Sequence, residues 1–205
     1  MAAIIIGIRA RDVRSQPSRR QDMIKINFGS GPYPIAGWIN VDLDPAGRPE
    51  VVADLGRALP FASGVADFIH TEDFIAQLDP LPLLDFLREC RRIIKPDGTM
   101  RVLTPDLERF ARTYLENPDH LVWIWNTFIG VPLETGTACE VLNLGMRLAG
   151  RFQYDFTSFA KLASEAGFDT VRVGYNESRF EALRGLDLRR TDEAVSMYLE
   201  CTPRA

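Results

Sequence analysis

The sequence is poor in the side chains on which most metal and thiol chemistry is built. It holds two histidines, His70 and His120, and three cysteines, Cys90, Cys139 and Cys201. With no C-x-x-C pair and so few imidazoles, a Cys/His zinc centre is disfavoured, and an odd number of unpaired cysteines reads as free thiols in a reducing, cytoplasmic setting. Long apolar runs are also missing. The longest, "AAIIIGI", falls far short of the roughly 20 residues that span a bilayer. It precedes the Arg-rich stretch, which reverses the order of a secretory signal. Concentrated positive charge is confined to the first 20 residues, where Arg9, Arg11, Arg14, Arg19 and Arg20 face Asp12 alone. The remainder carries 19 basic against 27 acidic side chains, so a nucleic-acid partner is disfavoured. Residues 1–21 read as a disordered or irrelevant leader, and 22–205 as one domain.

What the chain does have is an alternation of short strands and helices. "MIKINF", "WINVDL", "VVADL" and "ADFIHT" are Val/Ile-rich runs of the kind buried in parallel sheets. "PLPLLDFLRECRRIIK" sets Leu84, Leu87, Arg91 and Ile94 at helical spacing; "KPDG" is expected to break it and "TMRVLTP" to resume as a fifth strand. Asp106 is placed to cap "LERFARTYLEN". An aromatic insert at about 106–156 follows, with two or three short helices expected between breakers Gly130, Pro132 and Gly136. Thr157 or Ser158 is expected to cap the helix in "DFTSFAKLASEAGF", which Gly167 ends. "DTVRVGYN" and "AVSMYLECT" then read as an antiparallel edge pair.

The stretch "INFGSGPYPIAGWINVDLDP" carries the chemistry. Gly29 and Gly31 match two positions of G-x-G-x-x-G, but Pro34 stands at the third. A dinucleotide loop needs a following helix and an acid about 20 residues on. Asp42 comes too early for that, and Pro34 has no N–H to offer a phosphate. S-adenosylmethionine needs neither. Glycines admit its amino-acid part, an acid after the second strand can accept both ribose hydroxyls, and a polar residue after the third, Asp54, can meet the adenine.

These segments, with "ADLGRALPFASGVADFIHTEDFIAQL", "FLRECRRIIKPDGTMRVLTPDLERF", "YDFTSFAKLASEAGFDTVRV" and "MYLEC", resemble the class I S-adenosylmethionine-dependent methyltransferases, specifically a small bacterial branch with a shortened first motif. The resemblance covers about Ile24 to Thr202. It implies an α/β fold: a Rossmann-like seven-stranded methyltransferase sheet, mostly parallel with an antiparallel C-terminal hairpin and helices on both faces. It implies Asn27, Gly29, Ser30 and Gly31 at the methionine part, Asp42 and Leu43 at the ribose, Asp54 and Leu55 at the adenine, and Thr71 and Glu72 on the floor. The sequence departs from that branch at Ala76 and Gln77, where Glu-His is usual, at Asp97 in "KPDG", and at Arg151, where His is frequent.

Methyl transfer from a sulfonium chiefly needs alignment, plus a base when the acceptor is a hydroxyl. His120, Tyr154 and Asp73 are the candidates for that base, Asp73 also reading as a helix cap; His70, inside the fourth strand, reads as structural. Trp123, Trp125, Phe128 and Tyr154 are candidates for a substrate wall or for plain core. The expected function is methyl transfer to a small-molecule acceptor, such as a sugar or natural-product intermediate. The alternative is a degenerate member that binds the cofactor or its demethylated product as a partner or regulatory subunit.

Overall fold

The computed structural model describes residues 23–129, 135–148, 150–188 and 195–205. The expected leader 1–21, Gly130 and Pro132 therefore lie outside the described residues. Short runs rich in Ile, Val and Phe form seven strands: β1 (Lys25–Phe28), β2 (Ile39–Asp42), β3 (Val51–Val52), β4 (Ala66–Glu72), β5 (Ile94–Pro105), β6 (Phe168–Arg172) and β7 (Ser196–Pro203). They assemble in the order β3-β2-β1-β4-β5-β7-β6. β1 to β5 run parallel, and β7 is antiparallel to both β5 and β6. The chain starts in the middle at β1, steps outward to β3, then returns to β4 on the other side of β1. That reversal opens a crevice at the carboxyl ends of β1 and β4, where open α/β sheets bind ligands.

Strand alternation sends neighbouring side chains to opposite faces. Ile26, Phe28 and Ile69 pack with Leu83 and Leu87 of helix α1 (Pro80–Ile93) and with Phe159 and Ala163 of a C-terminal helix at Phe156–Glu165. Phe68 faces the other way, against Trp38, Leu183, Ile35, Phe180 and Leu186. One face is thus roofed by long helices. Among the described residues, the other is roofed by the β1–β2 connection and the 174–188 segment, whose helical part is the single turn Glu181–Leu183.

Two local expectations are corrected. "KPDG" does not separate α1 from its strand, because β5 begins at Ile94 and pairs with Ala66 before the register shifts to Phe68↔Thr99; Lys95–Gly98 bulge within the strand. The C-terminal helix is capped by Asp155 rather than by Thr157 or Ser158. Its carboxylate accepts the Ser158 N–H at 2.7 Å, and the Ser158 hydroxyl accepts the Asp155 N–H at 3.1 Å, a reciprocal capping box.

Helix α2 (Leu107–Glu116) starts at Asp106 as expected, its carboxylate accepting from the Glu108 and Arg109 amides. Helix α3 (Pro118–Ile124) runs on as a π-helical turn, Trp125–Ile129, and α4 (Ala138–Leu148) follows. Phe110, Leu121, Ile124, Trp125 and Val141 give this insert a small core of its own. The helix at Phe156–Glu165 is α5. Among the described residues no helix is long and apolar enough to cross a membrane.

Candidate functional site

A cavity of about 1000 Å³ lies at the β1/β4 reversal. Asn27 and His70 line it from the sheet, Gly29, Ser30 and Gly31 from the loop after β1, Asp42 from the end of β2, and Glu72 and Asp73 from the end of β4. Tyr33, Phe74, Leu186 and Leu188 add apolar walls, and Gln77 adds an amide. Among the described residues the lining includes three carboxylates and neither Lys nor Arg. Its charge suits a cation and repels a phosphate.

The glycine loop is held by close approach as well as by dihedral angle. At Gly29, φ is +68° and a Cβ would sit 2.7 Å from the Phe74 Cβ, so the loop can reach the β4 end only without a side chain. A Cβ at Gly47 would meet the Gly31 carbonyl oxygen at 2.0 Å, which pins the turn after β2 against the same loop. The loop amides are already engaged: Gly29 and Ser30 donate to the Val41 carbonyl at 2.9 and 3.3 Å, and Gly31 donates to Asp42 Oδ2 at 2.8 Å. No nest of free N–H groups remains for a pyrophosphate. The Ser30 hydroxyl, buried on the cavity, has no hydrogen-bond partner.

Asp42 is fixed from both sides, since its Oδ1 accepts the Asp44 N–H at 2.8 Å. Four of the other residues implied at the cofactor do not line this cavity. Leu43 is 65% exposed and off the cavity, Leu55 is buried in the main core, and Thr71 alternates to the α1 side of β4. Asp54 is also off the cavity; its carboxylate accepts the Gly56 N–H at 2.9 Å and pairs with Arg57 at 3.0 Å, which lowers its pKa.

A polar row crosses the sheet beneath the cavity. Asn40, Asn27, His70, Arg101 and Glu200 are register partners on successive strands. Asn27 Nδ2 donates to Asn40 Oδ1 at 2.9 Å, and Asn27 Oδ1 lies 2.9 Å from His70 Nδ1. Burial pushes the His70 pKa down to about 4, with Arg101 adding to the fall and Asp187 opposing it. The sequence reads His70 as structural, and the structure sets it on the cavity wall. The signal was nonetheless present, because a period of two places His70 on the face of Glu72, a residue the resemblance assigned to the site.

Of the candidate bases, the structure brings only Asp73 to the cavity. It sits at φ +57°, the left-handed region that Asp tolerates better than most residues, and its amide donates to the Leu103 carbonyl at 2.9 Å. It does not cap the next turn, Ile75–Gln77, whose N-cap is Phe74. The Tyr154 hydroxyl donates to the Leu78 carbonyl at 2.8 Å inside the core, and burial raises its pKa. His120 stacks on Trp123 with ring centroids 5.4 Å apart, and Trp123 meets Phe128 edge-on, all on the insert and off the cavity. Trp125 is buried in the insert core. The aromatic wall expected from the insert is therefore not the wall of this cavity, which is formed by Tyr33, Phe74, Leu186 and Leu188.

Ala76 is buried, its carbonyl accepting the Arg151 N–H at 2.7 Å and the Phe152 N–H at 3.2 Å, so that position packs against the chain before α5. S-adenosylmethionine fits the donor set: a loop with glycines on either side of Ser30, an acid held level with it, the orphaned buried hydroxyl of Ser30 and three carboxylates among the described lining residues.

No family model and no curated protein matches the chain. Solved structures do. It is similar to the mitomycin 7-O-methyltransferase MmcR at 14% identity and a TM-score of 0.55, over 90% of this chain and 49% of that one. This chain thus spans about half that protein's length. A TehB-like SAM-dependent methyltransferase from Corynebacterium glutamicum gives 13% identity and a TM-score of 0.52, over 91% of this chain and 83% of the other. The CcbJ methyltransferase of Streptomyces caelestis gives 12% and 0.54, over 90% and 85%. The chain has the fold of the class I S-adenosylmethionine-dependent methyltransferases.

Proposed function

On that fold, we propose that the chain binds S-adenosylmethionine in the β1/β4 cavity and transfers its methyl group to a small-molecule acceptor. The observation that carries this reading is the chemistry of the cavity: three carboxylates with no Lys or Arg among the described lining residues, and a glycine loop whose amides are already engaged. A cationic cofactor without phosphate matches it, and a nicotinamide dinucleotide does not.

In this reading the backbone of Gly29–Gly31, with Asn27, flanks the amino-acid part of the cofactor. Asp42 takes the ribose hydroxyls. When bound, the cofactor supplies an electrophilic methyl on its sulfonium. The residues around it align the attacking atom and keep water out, which is where most of the rate enhancement of such a transfer arises. Tyr33, Phe74, Leu186 and Leu188 exclude solvent, and Asp73 receives the acceptor's proton when the nucleophile is a hydroxyl, or an amine formed by deprotonating an ammonium. A small acceptor fits a volume near the upper end of the roughly 300–1000 Å³ common for ligand pockets, and the similar mitomycin 7-O-methyltransferase is by its name a small-molecule enzyme.

A second reading, binding without transfer, draws on Ala76 and Gln77: the first is packed away from the cavity and the second offers only a neutral amide. Incubation with S-adenosylmethionine across hydroxyl, amine and thiol acceptors, followed by detection of S-adenosylhomocysteine, tests transfer. Acceptor-dependent product formation is expected. Tight cofactor binding with no product over the whole panel would favour the binding-only reading.

A further inference from the structure

Asn40 stands inside β2, buried and off the cavity, yet its side chain joins two parts of the cavity wall. Asn40 Nδ2 donates to the Ile35 and Trp38 carbonyls at 3.1 and 3.3 Å, and Asn40 Oδ1 accepts the Ile35 N–H at 2.8 Å. These bonds tie down the β1–β2 connection, which carries Tyr33 and Ile35 of the lining. They also permit one orientation of the amide, because each of its ends faces backbone groups of fixed polarity. Asn40 Oδ1 must then receive Asn27 Nδ2 at 2.9 Å, and Asn27 is left to present its Oδ1 to His70 Nδ1 at 2.9 Å.

An acceptor facing Nδ1 places the ring proton there. Burial holds the His70 ring neutral at physiological pH, so Nε2 has no proton of its own. Nε2 is buried without a hydrogen-bond partner, in a side chain that lines the cavity at 2% exposure. With the opposite tautomer the same atom would be a donor. The polarity of the cavity floor at His70 on β4 is therefore set from β2, across the whole width of β1.

We propose that Asn40 is a positioning residue for this cavity: acting through Asn27, it fixes His70 as the Nδ1–H tautomer, so that Nε2 accepts from a ligand bearing an N–H or O–H and opposes a ligand group that can only accept. An acceptor pressed against that lone pair would leave two desolvated acceptors facing each other, the arrangement by which a polar site rejects an analogue that lacks the donor. The role of Asn40 toward a ligand rests on the reading of this cavity as an S-adenosylmethionine site; its hold on the tautomer does not.

The chain has two histidines, so 15N-histidine labelling reports His70 with His120 as the internal reference. Long-range proton–nitrogen correlations of the free wild type should show His70 protonated at Nδ1 only. Asn40→Leu removes the group that orients Asn27, and both tautomers of His70 should appear. Asn40→Asp, which keeps an acceptor for the Ile35 N–H and for Asn27 Nδ2, should restore Nδ1 alone. Asn27→Leu removes the acceptor facing Nδ1 and should move the proton to Nε2. Thermal denaturation identifies the folded variants. S-adenosylhomocysteine, which carries N–H and O–H donors, should move the wild-type Nε2 resonance upfield as the lone pair gains a partner. A free wild type with the proton on Nε2 overturns the proposal, as does a folded Asn40→Leu that keeps Nδ1 alone. Where Asn40→Leu does not fold, Asn27→Leu with the proton still on Nδ1 overturns it. Calorimetrically confirmed S-adenosylhomocysteine binding with an unmoved Nε2 overturns the ligand-selecting role. Absence of S-adenosylhomocysteine binding, with the tautomers of the free proteins as expected, overturns the cofactor reading and supports the hold of Asn40 on His70.

Discussion

Arg101 and Asp187, 86 residues apart in sequence, form an ion pair in which neither side chain reaches solvent. The Arg101 guanidinium also donates to the Glu177 and Gly174 carbonyls at 2.7 and 3.0 Å, and Asp187 accepts the Asn176 N–H at 2.6 Å. One buried cation on β5 thereby gathers the 174–188 segment onto the sheet and sets Leu186 and Leu188 against the cavity. Removing one partner strands a buried charge. Asp187→Ala is expected to lower stability by about 3–5 kcal/mol in denaturant unfolding, and to weaken ligand binding through the loosened wall. Replacing both residues by apolar ones of similar volume should recover most of the stability.

His70 makes stability depend on pH in a defined window. Its folded pKa of about 4 lies below the ordinary 6.5, so the unfolded chain binds more protons between those values. Stability therefore rises with pH from about 4 to 6.5 and is lost as pH falls through that range. The shift corresponds to an effect of about 3 kcal/mol in all. Urea unfolding of the wild type and of His70→Phe at several pH values checks this. The variant should lack that part of the slope.

The two glycines of the loop after β1 should respond differently to alanine. A Cβ at Gly29 would lie 2.7 Å from the Phe74 Cβ, an atom fixed to the backbone that cannot swing aside. Gly31 has a positive φ of +49° but nothing within 4 Å of its added Cβ. Gly31→Ala is expected to cost about 1–2 kcal/mol from the left-handed conformation alone, and Gly29→Ala clearly more. Thermal denaturation of the two variants side by side gives the comparison.

The strands were legible because they are short apolar runs punctuated by Gly, Pro and Asp, and the resemblance implied the seven-stranded sheet they form. The roof of the second face was not. Residues 174–188 carry no helical or strand periodicity, and what holds them is a charge pair 86 residues apart that no local pattern announces. The α5 cap was misplaced because Asp155, Thr157 and Ser158 are all capping types within four positions, and only geometry distinguishes them. Gly29, Gly31 and Asp42 could be placed at one rim from the residues themselves, and Glu72 only through the resemblance; all four line the cavity. Trp123 and Phe128 could not be assigned a direction, since aromatic side chains serve cores, surfaces and pockets alike; the structure puts both on the exposed side of the insert.

The central claim is that the acidic β1/β4 cavity holds S-adenosylmethionine with Asp42 on its ribose. Calorimetric titration of the wild type and of Asp42→Ala tests it, with NAD as the comparison ligand and thermal denaturation confirming that the variant is folded. Binding of S-adenosylmethionine, a loss of about 1–3 kcal/mol in the variant, and no heat with NAD are the predicted results. No heat with S-adenosylmethionine, or an affinity unchanged by the loss of the Asp42 carboxylate, would contradict the account.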